Sequence, residues 1–145
     1  MIDYDEAKKL KYIRFKQRFS NFEKAYSRFK EILSRDTEHD PIMRTALVQA
    51  FEFTFELAWN AMRDKFESEH DPKEEIVFPR GSIQAAYDAQ YITDMNPWTQ
   101  ALKNRNTSSH AYDDKFAAQL ERFIRLEYAP ALQDLYEYFR KSFNK

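Results

Sequence analysis

The sequence predicts an all-α fold, an antiparallel up-and-down four-helix bundle with one short extra helix, and three observations lead there. The first is periodicity. Phe15, Phe19, Phe22, Tyr26, Phe29 and Leu33 step by four, three, four, three and four, which lays one apolar seam along a helix that needs partners. The second is the scarcity of glycine: Gly81 is the only one in 145 residues. A many-stranded β fold consumes positive-φ turns that this chain cannot supply, and neither a dinucleotide-binding glycine fingerprint nor a phosphate-cradling loop can be built. The third is ring content. With 13 Phe, 9 Tyr and 2 Trp, aromatic residues make up 17% of the chain, so the core is packed largely by rings. The length suits one core and one domain spanning 1–145.

The elements follow in order. The seam from Phe15 to Leu33 defines a first long helix, and the polar stretch Asp36 to Asp40 ends it. Asp40-Pro41 reads as an N-cap followed by proline at the first helical position, which opens a second helix running to about Glu69. Between Phe51 and Trp59 that helix is apolar on nearly every side, so it must be enclosed by neighbours or by neighbours plus a second subunit. His70 to Pro79, with Asp71-Pro72 and Phe78-Pro79, is a connection inside the domain. Arg80 to Tyr91 and Met95 to Lys103 are two short helices, and Asn104 to Asp113 is polar and turn-like. Asp113 or Asp114 caps a last helix that carries Phe116, Leu120, Phe123, Ile124, Leu132, Leu135, Tyr136, Phe139 and Phe143. Pro130 interrupts it, removing one amide, and should bend it. Three long helices plus a broken fourth element complete the bundle.

Composition excludes several chemistries. With no cysteine there is no disulfide, no thiolate-ligated zinc and no iron–sulfur cluster, and three histidines leave little for any metal site; no cofactor is expected. A formal net charge of -1, from 23 basic and 24 acidic residues, gives no general attraction to a polyanion, so any nucleic-acid contact must be local. The acidic opening Met1-Ile-Asp-Tyr-Asp-Glu is unlike a signal peptide and no run approaches a membrane span, which points to a cytoplasmic protein without membrane contact.

The densest polar chemistry is Arg105-Asn106-Thr107-Ser108-Ser109-His110-Ala111-Tyr112, placed between two helices. Arginine offers a permanently charged fork suited to phosphate and histidine titrates near neutral pH, so the two together can bind and cleave a phosphodiester. The same residues also read as an ordinary capped connection, with Arg105 paired to an acid and His110 on the surface.

A family resemblance bears on that choice. Gln49-Ala50-Phe51-Glu52-Phe53-Thr54-Phe55-Glu56-Leu57-Ala58-Trp59, Pro79-Arg80, the Arg105 to Tyr112 run and Tyr128-Ala129-Pro130-Ala131-Leu132 together resemble the nucleotidyltransferase substrate-binding protein family. That family is similar to the HepT proteins and sits within the wider HEPN group. The resemblance covers about Phe19 to Phe143. It implies a helical homodimer that partners a small nucleotidyltransferase encoded nearby, with RNA or a nucleotide as a further ligand. It also implies that Arg105 and His110, with Asn106 beside them, form the catalytic pair of HEPN ribonucleases, which work without metal. Tyr112 then completes an R-x4-H-x-Y motif as the tyrosine the partner adenylylates, which would make the pair a toxin and its antitoxin. Metal-free RNA cleavage needs both a base and an acid, and one motif supplies one histidine; a two-fold dimer supplies a second His110 and a second Arg105.

Glu52 and Glu56, four apart on the second helix, need partners, and ion pairing with Arg105, Arg80 or Lys103 is the simplest provision. Glu52, Glu56 and Arg80 are therefore the expected partner- or substrate-binding residues, with no metal between the carboxylates. Trp59 and Trp98 are expected in the core, and the basic run Lys8, Lys9, Lys11, Arg14, Lys16 and Arg18 on a solvated helix face. The sequence thus leads to a partner subunit of a minimal nucleotidyltransferase, with a metal-independent endoribonuclease as the alternative.

Overall fold

The computed structural model describes residues 3–71, 76–107 and 113–143. Those residues form an all-α bundle: α1 Tyr4–Leu33, α2 Pro41–Glu69, α3 Pro79–Asp88, α4 Asn96–Thr107, α5 Asp114–Phe123 and α6 Ala129–Ser142, with a π turn, Ile124–Tyr128, fusing the last two into one rod. No helix among the described residues is long and apolar enough to cross a membrane.

Side-chain contacts give the helix directions. Lys8 Nζ donates to the His70 carbonyl at 2.5 Å, Lys11 pairs with Glu67 at 3.9 Å and Arg18 with Asp64 at 2.6 Å. Residue numbers rise along α1 as they fall along α2, so the two are antiparallel. Phe15 against Phe139 (5.2 Å between ring centroids), Phe19 against Tyr136 (5.9 Å) and Phe29 against Tyr128 (5.7 Å) set α1 antiparallel to the rod formed by the π turn and α6. The seam from Phe15 to Phe29 is wholly buried there, as its spacing predicts. α1 begins well before that seam, because Asp3 caps it and the three contacts to α2 hold its early turns. The basic run is thus only partly a solvated face. Lys9, Arg14 and Lys16 are exposed, whereas Lys8, Lys11 and Arg18 tie α1 to α2.

Asp40 caps α2 through the Ile42 and Met43 amides, with Pro41 at the first position, as expected. α3 ends three residues earlier than its pattern suggests. Gln90 takes a left-handed φ of 65°, and the Tyr91 amide turns back onto the Ala86 carbonyl at 2.8 Å. Glycine usually serves this helix-ending conformation, and in a chain almost without glycine a glutamine does so.

The largest departure is at α4. A turn beginning at Asn104 is expected from composition, yet the helix continues to Thr107 and carries Arg105 and Asn106 within it. Trp98, Ala101, Leu102 and Arg105 share one face at helical spacing, so the Arg105 stem extends the buried stripe although its head is charged. Thr107 Oγ1 bonds back to the Lys103 and Asn104 carbonyls at 3.2 and 3.3 Å.

Asp113 caps α5 through the Lys115 and Phe116 amides. Near Pro130 the chain widens into the π turn, where the Ala129 amide donates to the Ile124 carbonyl. The wider turn makes room for a ring that would otherwise meet the carbonyl one turn back. From that turn Arg125 reaches the connection between α1 and α2, donating to the Leu33 carbonyl at 2.9 Å, the Arg35 carbonyl at 3.1 Å and buried Thr37 Oγ1 at 2.7 Å.

Candidate functional site

Arg105 and Glu56 meet at the surface of the bundle. The Arg105 guanidinium lies 3.0 Å from Glu56 Oε1, and the two side chains are 29% and 43% exposed. Below them the Phe55 ring, fully buried, lies 5.7 Å from the guanidinium carbon, so the fork rests over an aromatic face. Phe55 is held from beneath by Trp98 at 6.3 Å between ring centroids. Trp98 and Arg105 are seven residues apart and so project from one face of α4. The site is built on two rigid helices.

Glu56 is fixed in turn. Trp59 Nε1–H donates to Glu56 Oε2 at 3.0 Å, and Asn60 donates to the Glu56 backbone carbonyl at 2.7 Å. Trp59 is a core residue, as expected, but its ring nitrogen serves the site, a role that core packing alone does not suggest. The Arg105 contact with Glu56 Oε1 is charge to charge and lacks the alignment of a hydrogen bond. Of the partners considered for the two carboxylates, Arg105 is the one the fold selects for Glu56. Glu52 is half-buried one turn earlier on α2, and no ion pair links it to Arg80 or Lys103 among the described residues. Arg80, in the first turn of α3, and Asn106, in the last turn of α4, are exposed. His110 and Tyr112 lie outside the described residues. In sequence they fall between Thr107, the last residue of α4, and Asp113, the cap of α5.

Beside this site α2 presents an apolar stripe to solvent. Ile42 is 79% and Phe53 61% exposed, and Ala46, Ala50 and Leu57 along the same side are half-buried. Phe53 is three residues from Glu56, so stripe and site share a flank of the helix. Within the chain, neighbouring helices enclose Phe51, Thr54, Phe55, Ala58 and Trp59 and leave Phe53 exposed.

A pocket of about 570 Å³ between residues 90–98 and α6 is lined by Trp98 but by neither Arg105 nor Glu56. Its walls carry Asp94, Glu127, Asp134 and Glu137 against Lys141, a field that repels a phosphate. Among the described residues no three His, Asp or Glu side chains converge as a metal ion would require.

Comparison with known proteins agrees on the fold. The solved structure of HI0074 from Haemophilus influenzae superposes with a TM-score of 0.64 at 20% identity, covering 87% of this chain and 96% of that one. It is described as revealing the fold of a substrate-binding domain of a nucleotidyltransferase. No curated protein matches the chain significantly. The model of the family described as nucleotidyltransferase substrate binding protein like matches residues 17–141, from the first turns of the α1 seam to the end of α6 and through every residue of the Arg105 site. By that match the chain belongs to the nucleotidyltransferase substrate-binding protein family.

Proposed function

We propose that the protein is the partner subunit of a small nucleotidyltransferase and presents Arg105, with the His110 and Tyr112 segment that follows it, to the transferase or its substrate. The observation that carries this reading is the preorganised arginine. Its fork is aimed by Glu56, seated on Phe55 and placed in the last turn of α4, five residues before His110 in sequence. Family membership supplies the kind of partner. In this reading Glu52 and the exposed Arg80 flank the docking face, and no cofactor is needed.

The subunit works as a homodimer in the cytoplasm. Ile42 and Phe53 are exposed along the flank that holds Glu56, and a second copy seated on them covers that apolar surface and brings two Arg105 sites together. Phe53→Asp is expected to convert the dimer to a monomer by light scattering at micromolar concentration. A wild-type monomer at that concentration contradicts this part of the reading.

The direct test is co-expression with the neighbouring transferase and ATP. Addition of AMP at Tyr112, abolished in Tyr112→Phe while the complex persists, supports modification of the motif; a complex in which Tyr112 is never modified leaves binding alone. A second reading is a HEPN-type ribonuclease toxin silenced by that modification, in which two-fold symmetry supplies the second histidine that metal-free cleavage needs. There, RNA cleavage in EDTA is lost in both Arg105→Ala and His110→Ala. Cleavage that needs added metal excludes this second reading.

A further inference from the structure

From the geometry around Arg105 we infer that Glu56 is a resident competitor for phosphate: its carboxylate occupies the guanidinium until an oxyanion displaces it. The inference rests on the reading of Arg105 as the phosphate-binding group and adds how that binding is regulated.

Two features of the pair make it a competitor and not merely a structural ion pair. Glu56 Oε2 is anchored by the Trp59 Nε1–H hydrogen bond at 3.0 Å, while Oε1 faces Arg105 at 3.0 Å without hydrogen-bond alignment. One oxygen is thus held and the other offers charge without directional bonding. A phosphodiester presents two oxygens that match the guanidinium fork, so it gains aligned, charge-assisted bonds that the carboxylate does not provide. The two side chains are also part-exposed, 29% and 43%, so a ligand can reach the pair even though Glu56 Oε1 is itself buried against Arg105. Once displaced, Glu56 keeps its Trp59 bond and remains close to the bound phosphate, lowering affinity for it. Glu52, one turn away, adds charge of the same sign. The carboxylate therefore plays two parts: it aims the fork and opposes phosphate bound there.

The test is binding of a 2′-O-methyl hexaribonucleotide, which lacks the hydroxyl needed for its own cleavage, to the full chain at fixed salt. Glu56→Gln keeps an acceptor for Trp59 and removes the charge. It is expected to tighten binding about three- to tenfold. Arg105→Ala is expected to weaken binding in the native background and to erase the effect of Glu56→Gln in the double variant, with melting curves confirming that each variant is folded. A structural role alone would alter melting and leave affinity unchanged. If Arg105→Ala weakens binding but Glu56→Gln leaves it unchanged or weakens it, the competitor is disproved while Arg105 remains the phosphate site. If Arg105→Ala changes nothing in either background, the phosphate-site reading and the competitor fall together.

Discussion

Removing the hydroxyl of Tyr128 and removing that of Thr54 should have unequal costs, although the two groups share one hydrogen bond. Thr54 Oγ1 and the Tyr128 hydroxyl are 2.7 Å apart, both residues are fully buried, and Thr54 Oγ1 also donates to the Phe51 carbonyl at 3.1 Å. Thr54 has a single hydroxyl proton and spends it on Phe51, so Tyr128 donates to Thr54. In Tyr128→Phe the threonine keeps its bond to Phe51, and the loss is that of one buried hydrogen bond, about 1 kcal/mol. In Thr54→Val the tyrosine hydroxyl is stranded without an acceptor among Phe29, Phe51, Phe123 and Trp98. That costs about 2–3 kcal/mol, since an unsatisfied buried donor carries its full desolvation penalty. The double variant should therefore be more stable than Thr54→Val alone. Urea unfolding of the four proteins measures the cycle, and the melting temperature should fall about 2–4 °C for each kcal/mol. Equal costs for the two single variants, or a double variant that is the least stable of all, would refute this assignment of donor and acceptor.

Two further outcomes follow from the same core. Burial of Tyr128, and burial of Tyr91 together with its bond to Glu69, push both phenols well above their ordinary value of about 10. The folded state holds these protons after the unfolded chain has released them, so their contribution to stability is intact below about pH 10 and is lost as pH rises beyond it. Absorbance at 295 nm should accordingly show these tyrosines ionising only as the protein unfolds, and smooth titration of every tyrosine in the folded state would contradict it. Arg125→Ala should cost about 2 kcal/mol in thermal melts, because it releases three acceptors on the connection between α1 and α2 and strands the hydroxyl of buried Thr37. A loss below about 0.5 kcal/mol would show that the clamp is incidental.

What the sequence made legible follows from where the decisive interactions lie. The seam on α1, the Asp40-Pro41 start of α2 and the Asp113 cap are local signals, and the structure reproduces each of them. The extent of α4 was not legible in this way. Its last turn is polar, and it is held by a pairing across to α2 that no local pattern encodes. The same holds for the buried charges near the end of α2. Asp64 answers Arg18 and Arg63, and Lys65 lies among Phe15, Tyr91 and Tyr138 with Glu69 at 3.1 Å. Charged side chains at helical spacing read as surface until their tertiary partners are known. At the site, Glu56 and Arg105 were recognisable as candidates to pair, whereas Trp59 was recognisable only as an apolar residue. Its hydrogen bond to Glu56 spans three residues of one helix, and that spacing is the signal that could have revealed it.

The face that carries Arg105 is expected to be where this chain binds a small nucleotidyltransferase. Calorimetric titration of the purified chain with its partner transferase tests this, with Arg105→Ala as the probe of the face. Saturable stoichiometric binding at micromolar affinity or tighter, weakened several-fold by Arg105→Ala, is the expected result. Absence of binding at tens of micromolar, or affinity unchanged by the substitution, would contradict it.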